Sequence, residues 1–456
     1  MLTLAAAGAE QLWDELLPLE VKQLPTDLAA LDGLLGDPAL LAPIAACWEH
    51  NARERGRPSI AIETYVRLIV VKHRCGWGYE TLVKEVSDSL HLRRFCRIAL
   101  DVRVPDESTV RKLTRRLGPD VVAEITRTLI AKATREKRFR ARAVRIDSTV
   151  IEADVQYPTD AGLASAGVRA LAREGRKLAA RIGAKRTAVR DRSHAMGRTL
   201  RGISRTIRRR TGQAKAEVLA LTEQTGKLLE RSVRETRRLA AQARTKARGR
   251  RAQAKLHAAA ELEELADRCS KVAEQIRQRV AGEKITDRLV SLSDPDARPI
   301  RKGKLGKPNE FGYVTQLAEV TQNTKRGARG FILPPATAPG NPTEDQLLPR
   351  TVAELQTLTL SPHEVALDGG FNTGPTTDSL AEIAPERVFI SGRQQLGSRR
   401  TQRRMQRYRT GAEGRISHLK RGYGMRRSRL KGHEGQQIWT GWSTLTYNLD
   451  TYTRLT

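Results

Sequence analysis

ARAVRIDSTVIEADVQYP, residues 141–158, is the stretch on which the reading of the fold turns. The segments before and after it have helical spacing. Here β-branched and polar residues alternate, the period of a half-buried strand. That strand carries Asp147, in RIDST, at its interior or its end. Strand character returns beyond residue 286, in RLVSLSD (288–294), GYVTQLAEV (312–320), EVALDGG (364–370) and RVFISG (387–392), with helix candidates around 345–358 and 373–384. Such alternation predicts a mixed α/β sheet with helices on both faces.

Between these regions, residues 161–285 contain no proline and consist mostly of Ala, Leu, Arg, Lys, Glu and Gln. Val168, Leu171, Leu178, Ile182 and Val189, then Leu262, Leu265, Cys269, Val272 and Ile276, recur at helical spacing. The second set is a heptad seam. The pattern predicts two or more long antiparallel helices, a coiled-coil-like arm turning near Thr211–Gly212. On this reading the arm interrupts one sheet domain, formed by 140–160 and 286–456.

Residues 1–118 read as an all-α domain. IAIETYVRLIVVKH (60–73) is a helix that Gly76 and Gly78 interrupt, and YETLVKEVSDSLHLRRFCRI begins another at Tyr79. In VPDESTVRKLTRRLG, Asp106 or Ser108 can cap a helix that Gly118 ends. Val110, Leu113 and Leu117 line one side of it and Arg111, Lys112, Arg115 and Arg116 the other. The basic side suits a helix-turn-helix-like DNA reader, and equally a solvated helix packed on a core. Farther on, Ile438, Trp442, Leu445 and Leu449 fall at helical spacing and are expected in the core.

Charge narrows the function. The 456-residue chain has 82 Lys and Arg against 51 Asp and Glu, a net +31. So basic a chain attracts polyanions, and nucleic acid is the expected partner ahead of a ribosomal or anionic-membrane surface. Residues 171–260 hold 26 Lys and Arg against 6 Asp and Glu, so +20 of the total lies there. A solvated face would mix signs; this one fits phosphate tracking, or a basic dimerisation coil. Aromatics at 4% argue against a base-stacking platform for single strands. Cys47, Cys75, Cys96 and Cys269 form no CxxC pair, which argues against zinc and disulfides and for a reducing cytoplasm. The acidic MLTLAAAGAEQLWDELLPLE lacks the basic start of a signal peptide, and no apolar run spans a bilayer, so no membrane is expected.

Three acids stand out by context: Asp147, Asp368 where a strand runs into glycines, and Glu413 in YRTGAEGRISHLKRGYG. Gathered together they would repel one another unless cations bind, and hard oxygen ligands select Mg²⁺ or Mn²⁺. Each also has an ordinary reading, as a strand-end residue, a turn or a helix N-terminal acid. Glu152 and Asp154 fall on the opposite face of the strand from Asp147. RKGKLGKPNE is not a Walker A loop, since Arg301 and Pro308 stand where Gly and Ser or Thr are needed; its Lys302, Lys304 and Lys307 suit a DNA backbone instead.

Taken together, RIDSTVIEADVQYPTD, SDPDARPIRKGKLGKPNEFGYVTQL (293–317) and VALDGGFNTG resemble segments of bacterial insertion-sequence transposases of the DDE class, the ISNCY-like and related group. So does the stretch 56–117. Arg409, Glu413 and Lys420 have the spacing of the Y-(2)-R-(3)-E-(6)-K signature, with Gln406 where its tyrosine belongs and Tyr408 close by. The resemblance implies an RNase H-like catalytic domain with a five-stranded mixed sheet, which nicks element ends and joins the freed 3′-OH to target DNA. It further implies two Mg²⁺ or Mn²⁺ ions on Asp147, Asp368 and Glu413, phosphate contacts from Arg409 and Lys420, and a homo-oligomer on double-stranded DNA at the bacterial nucleoid. Charge alone adds Arg421, Arg426, Arg427, Arg429 and Lys431 as DNA contacts. Two other readings are a non-catalytic DNA-binding protein derived from a transposase and a nuclease without strand transfer.

Deleting residues 165–283 is expected to lower non-specific duplex affinity more than any other deletion and to flatten its salt dependence. Titrations of labelled duplex at several salt concentrations measure both; an unchanged slope would show that the arm does not touch DNA.

Overall fold

The computed structural model describes residues 16–47, 60–184, 189–209, 211–304, 307–393 and 397–455. The side chains of Lys302, Lys304 and Lys307 lie outside that description. The fold is mixed α/β with a helical majority, in two compact units: residues 1–154 with 300–456, and Val155–Pro299.

In the first unit, short helices α1 (Leu19–Lys22), α2 (Thr26–Leu35) and α3 (Pro38–Ala46) precede α4 (Ile62–Cys75). Gly76 caps α4 in the left-handed region, at φ 66°, where a side chain would be strained. Helices α5 (Tyr79–Asp88) and α6 (Leu90–Phe95) follow. Helix α7 (Glu107–Arg135) starts at the Asp106 cap and breaks at Gly118, φ 72°, whose successor Pro119 opens a second segment. The helical region therefore runs on to Arg135 rather than stopping at Gly118. Val110, Leu113 and Leu117 are buried, and Arg111, Lys112, Arg115 and Arg116 are exposed.

The sheet has eight strands, with a central order β2-β3-β1-β6-β7. Strands β1 (Ala143–Ala153) and β3 (Lys307–Thr321) are antiparallel, with Asp147 opposite Leu317. On its other side β1 runs parallel to β6 (Glu364–Leu367), which runs parallel to β7 (Arg387–Ile390). Strand β2 (Arg298–Lys304) pairs with β3, as do the short β4 (Gly330–Ile332) and β5 (Ala336–Pro339); β8 (Arg427–Ser428) pairs with β1.

Alternation along β1 divides its side chains. Val144 and Ile146 enter the large core with residues of α4, α7 and α15 (Gly432–Arg454), where Trp442 meets Tyr65 edge-on at 5.9 Å. Ile438, Trp442, Leu445 and Leu449 are all buried there, as their spacing predicts. Arg145, Asp147 and Ile151 turn toward α14 (Arg399–Gly422), which buries Met405, Tyr408, Ala412, Arg415 and Leu419 along one stripe. Helices α12 (Glu344–Thr357) and α13 (Thr373–Ala381) flank β6 in sequence.

Below Asp147 lies a buried ion network. Glu319 of β3 accepts from Arg145 Nε at 2.9 Å and Nη2 at 2.6 Å, and from Arg415 Nε at 2.9 Å. Arg145 also donates to the Tyr408 and Ala328 carbonyls. A Cβ on Gly411 would overlap the Arg145 guanidinium, so only glycine lets α14 lie this close to β1.

The second unit is the chain between β1 and β2. It contains α8 (Asp160–Arg181), α9 (Ser193–Thr206), α10 (Gly212–Thr245) and α11 (Ala252–Ala281) around Leu171, Leu229, Leu239, Leu262, Cys269 and Ile276. The ion pairs Arg277–Glu230, Arg237–Asp267 and Arg244–Glu263 run in antiparallel register along α10 and α11. Antiparallel helices do turn near Thr211–Gly212, as the pairs Arg192–Glu235 and Thr206–Glu217 along α9 and α10 show. Two details change. Gly212 begins a helix that Thr211 caps rather than ending one, and a second, longer hairpin turns between α10 and α11, where Lys246, Arg248, Arg250 and Arg251 are exposed. Residues 288–294 form no strand: Gln275 of α11 takes up the Leu289 N–H and carbonyl, and Arg268 the Leu292 carbonyl, in place of a ladder.

Replacing Glu319 by Gln leaves two buried guanidiniums without their counter-charge. A loss of roughly 3–5 kcal/mol is expected, measured by urea unfolding; a loss below about 1 kcal/mol would mean that the network is not holding α14 to the sheet.

Candidate active site

Strand register brings the first two acids together. Ile146 pairs with Leu367 across the parallel β1–β6 ladder, so the next residues, Asp147 and Asp368, lie side by side. Strand β1 continues past this point while β6 ends, leaving Asp147 only 6% exposed and Asp368 partly open. Asp147 Oδ1 accepts the Ser148 N–H at 2.8 Å.

A third carboxylate comes from an element the sequence reading left out. Glu344 is the first residue of α12, whose Thr343–Gln346 capping box fixes its start. Gln316 of β3 donates to the Glu344 carbonyl at 2.8 Å and accepts from Thr351 at 2.7 Å, tying the helix to the sheet. Asn372, just beyond Asp368, donates to Asp345 at 2.9 Å. One oxygen from each of Asp147, Glu344 and Asp368 lies within 4.8 Å of the others. The available sequence signal was TEDQ, a capping box with an acidic first turn, and the helix dipole accounts for an acid there without any further role.

Glu413 approaches from α14, one turn beyond Arg409, and is exposed. It is not part of that close group; Arg409 connects it. The guanidinium donates to Glu413 at 2.9 Å, pairs with Asp368 and lies 3.9 Å from Asp147. Arg409 is itself 8% exposed, and its Nε makes no hydrogen bond.

Burial, then the charge of Asp368, pushes the Asp147 carboxyl up to about 6, against the opposing pull of Arg409 and the Ser148 N–H. The donor set is all oxygen, anionic and convergent, which fits a hard divalent cation.

The remaining sequence-derived residues are dispersed. Lys420 donates to the Val150 carbonyl of β1 at 2.8 Å. Arg421, Arg426, Arg427, Arg429 and Lys431 are exposed, and Arg427 pairs with Glu152 at 3.0 Å. Tyr408 is not available to a phosphate: its ring is buried and its hydroxyl meets that of Thr321 at 2.6 Å. Gln406 accepts from Ser391 at 3.1 Å.

The folded-state value of Asp147 lies above its unfolded one. Its contribution to stability is therefore full below about pH 4 and lost as pH rises through about 6. Asp147→Asn, which keeps the Ser148 bond and cannot ionise, is expected to stabilise the protein at pH 8 in EDTA. The gain should be on the order of 3 kcal/mol, a shift from 3.8 to about 6 at about 1.4 kcal/mol per pKa unit. A lower melting temperature would mean that pairing with Arg409 outweighs burial and repulsion.

Residues 20–116 match the model of a family described as a transposase domain (DUF772). No curated protein and no solved structure matches the chain. The family match covers the helices from α1 to the first segment of α7 and supports a transposase family for this chain.

Proposed function

We propose that the protein is a DNA transposase of the DDE class, with Asp147, Asp368 and Glu413 as its metal-holding acids. The observation that carries this reading is the β1–β6 register, which sets two acids side by side beneath a basic helix bearing the third. The central strand order, with β1 antiparallel to β3 and parallel to β6, supports an RNase H-like sheet. The second unit is then a basic arm inserted into the catalytic domain, and the matched helices at 20–116 are a DNA-binding domain.

Mg²⁺ or Mn²⁺, when bound, would activate the attacking oxygen and stabilise the leaving one. Asp147, rigid on its strand, and Asp368 would hold the ions between them, and Glu413 would complete the second site. Arg409 exchanges its carboxylate partners for a phosphate of the DNA, where its fork can donate two bonds. The exposed Arg111, Lys112, Arg115 and Arg116, the run from Arg421 to Lys431 and the tip of the arm supply sequence-independent backbone contacts. Handling two element ends at once calls for a homo-oligomer on duplex DNA, at the nucleoid.

The test is cleavage of labelled duplexes carrying the element's ends in Mg²⁺, Mn²⁺, Ca²⁺ or EDTA. Nicks at the end junctions are expected in Mg²⁺ or Mn²⁺ and should vanish in EDTA and in Asp368→Ala, which keeps duplex affinity. Binding with no cut under any condition would instead identify a DNA-binding derivative, and cleavage without joined products a nuclease.

A further inference from the structure

We propose that Glu344 is a fourth metal-holding carboxylate of this site and shares the first ion with Asp147 and Asp368. The inference rests on the metal-centre reading above and adds a residue that the three-acid pattern lacks.

Three observations carry it. Among the described residues, the one close group of possible metal ligands is Asp147, Glu344 and Asp368, with Glu413 outside it. Glu344 is also held to this position by its surroundings. The Gln316–Thr351 bonds anchor its helix to β3, and Asn372–Asp345 anchors the same helix start to the loop after Asp368. A helix dipole accounts for an acid at this position but not for its convergence with Asp147 and Asp368.

Gly370 is the second observation. A Cβ there would lie 2.8 Å from Glu344 Oε2 and 3.0 Å from Cδ, so the second glycine of DGGF leaves the space that the carboxylate fills. Gly370 has no positive φ, and the backbone itself does not require glycine. The space does.

The third observation is Arg409. Nearly fully buried, it points its guanidinium at Asp368, Asp147 and Glu413, and its Nε, buried beside the three-acid group, makes no hydrogen bond. An anionic site arranged in this way favours divalent cations, and the number of carboxylates sets how strongly.

The test is direct Mn²⁺ binding to the full-length, metal-free protein, read by the electron paramagnetic resonance signal of free Mn²⁺, without DNA. Glu344→Gln is expected to weaken the tightest Mn²⁺ site by at least about tenfold, the lower end of what loss of a supporting group costs a metal site. Asp368→Asn should do the same, and Glu344→Asp should recover part of the loss. Gly370→Ala keeps every charge and displaces only the Glu344 side chain. It should weaken binding several-fold alone and add nothing in a Glu344→Gln background. Melting curves in EDTA establish that each variant is folded, and the Gly370 variant carries the test if Glu344→Gln does not fold. Wild-type Mn²⁺ binding in Glu344→Gln, or in Gly370→Ala, with binding lost in Asp368→Asn would overturn the role of Glu344 and leave the three-acid site standing. Unchanged binding in Asp368→Asn as well would overturn the metal-centre reading itself.

Discussion

Two arginines share one buried glutamate, and the geometry of the acidic site follows from that. Arg145, Glu319 and Arg415 belong to β1, β3 and α14, and all three are nearly excluded from solvent. A buried network of this kind is costly to assemble and costlier to break, so it tolerates one docking of α14 and few others. Asp147 is two residues from Arg145 on the same face of β1, and Arg409 and Glu413 lie on the same helix as Arg415. Fixing the ion network therefore fixes which part of α14 stands over Asp147. Gly411 is the steric condition for that docking, since any side chain there would occupy the space of the Arg145 guanidinium.

How much was legible in the sequence depends on whether the deciding interaction was local. The strand carrying Asp147, the break at Gly118, the core stripe of α15 and the heptad of α11 all appear where hydrophobic period and cap residues put them. Periodicity reports burial, and burial decided those elements. Residues 288–294 misled because an extended apolar run looks the same whether a neighbouring strand or a helix side chain takes its backbone hydrogen bonds. Here Gln275 and Arg268 do. Gly212 misled because glycine stands at either end of helices; the Thr211 side chain bonded to the Ala214 N–H decides the direction.

Glu344 was illegible for a deeper reason. Asp147 and Asp368 could be singled out because an acid inside or just after an apolar strand is an anomaly. An acid in the first turn of a capped helix is what helix physics favours anyway. Only the tertiary path, with Gln316 anchoring the helix and Gly370 leaving room, converts that ordinary residue into part of a cluster. Arg409 gives the converse case. It was singled out for phosphate, and without DNA its guanidinium is committed to carboxylates.

These two facts fit one electrostatic constraint. The chain as a whole is strongly basic, at +31, and gathers acids in one place beside a basic helix. A polyanion drawn to that surface would meet local repulsion at the acids, against which Arg409 sets its one charge at Asp368 and Glu413. Arg409 directs Nη1 at Glu413 and Nη2 at Asp368, so turning that fork to a phosphate takes it away from the acids. On the proposed reading, a divalent cation held by Asp147 and Asp368 would offset their charge, and Arg409 would then be free to turn to a phosphate. Metal and duplex would then favour each other's binding at this centre, each easing the charge that opposes the other.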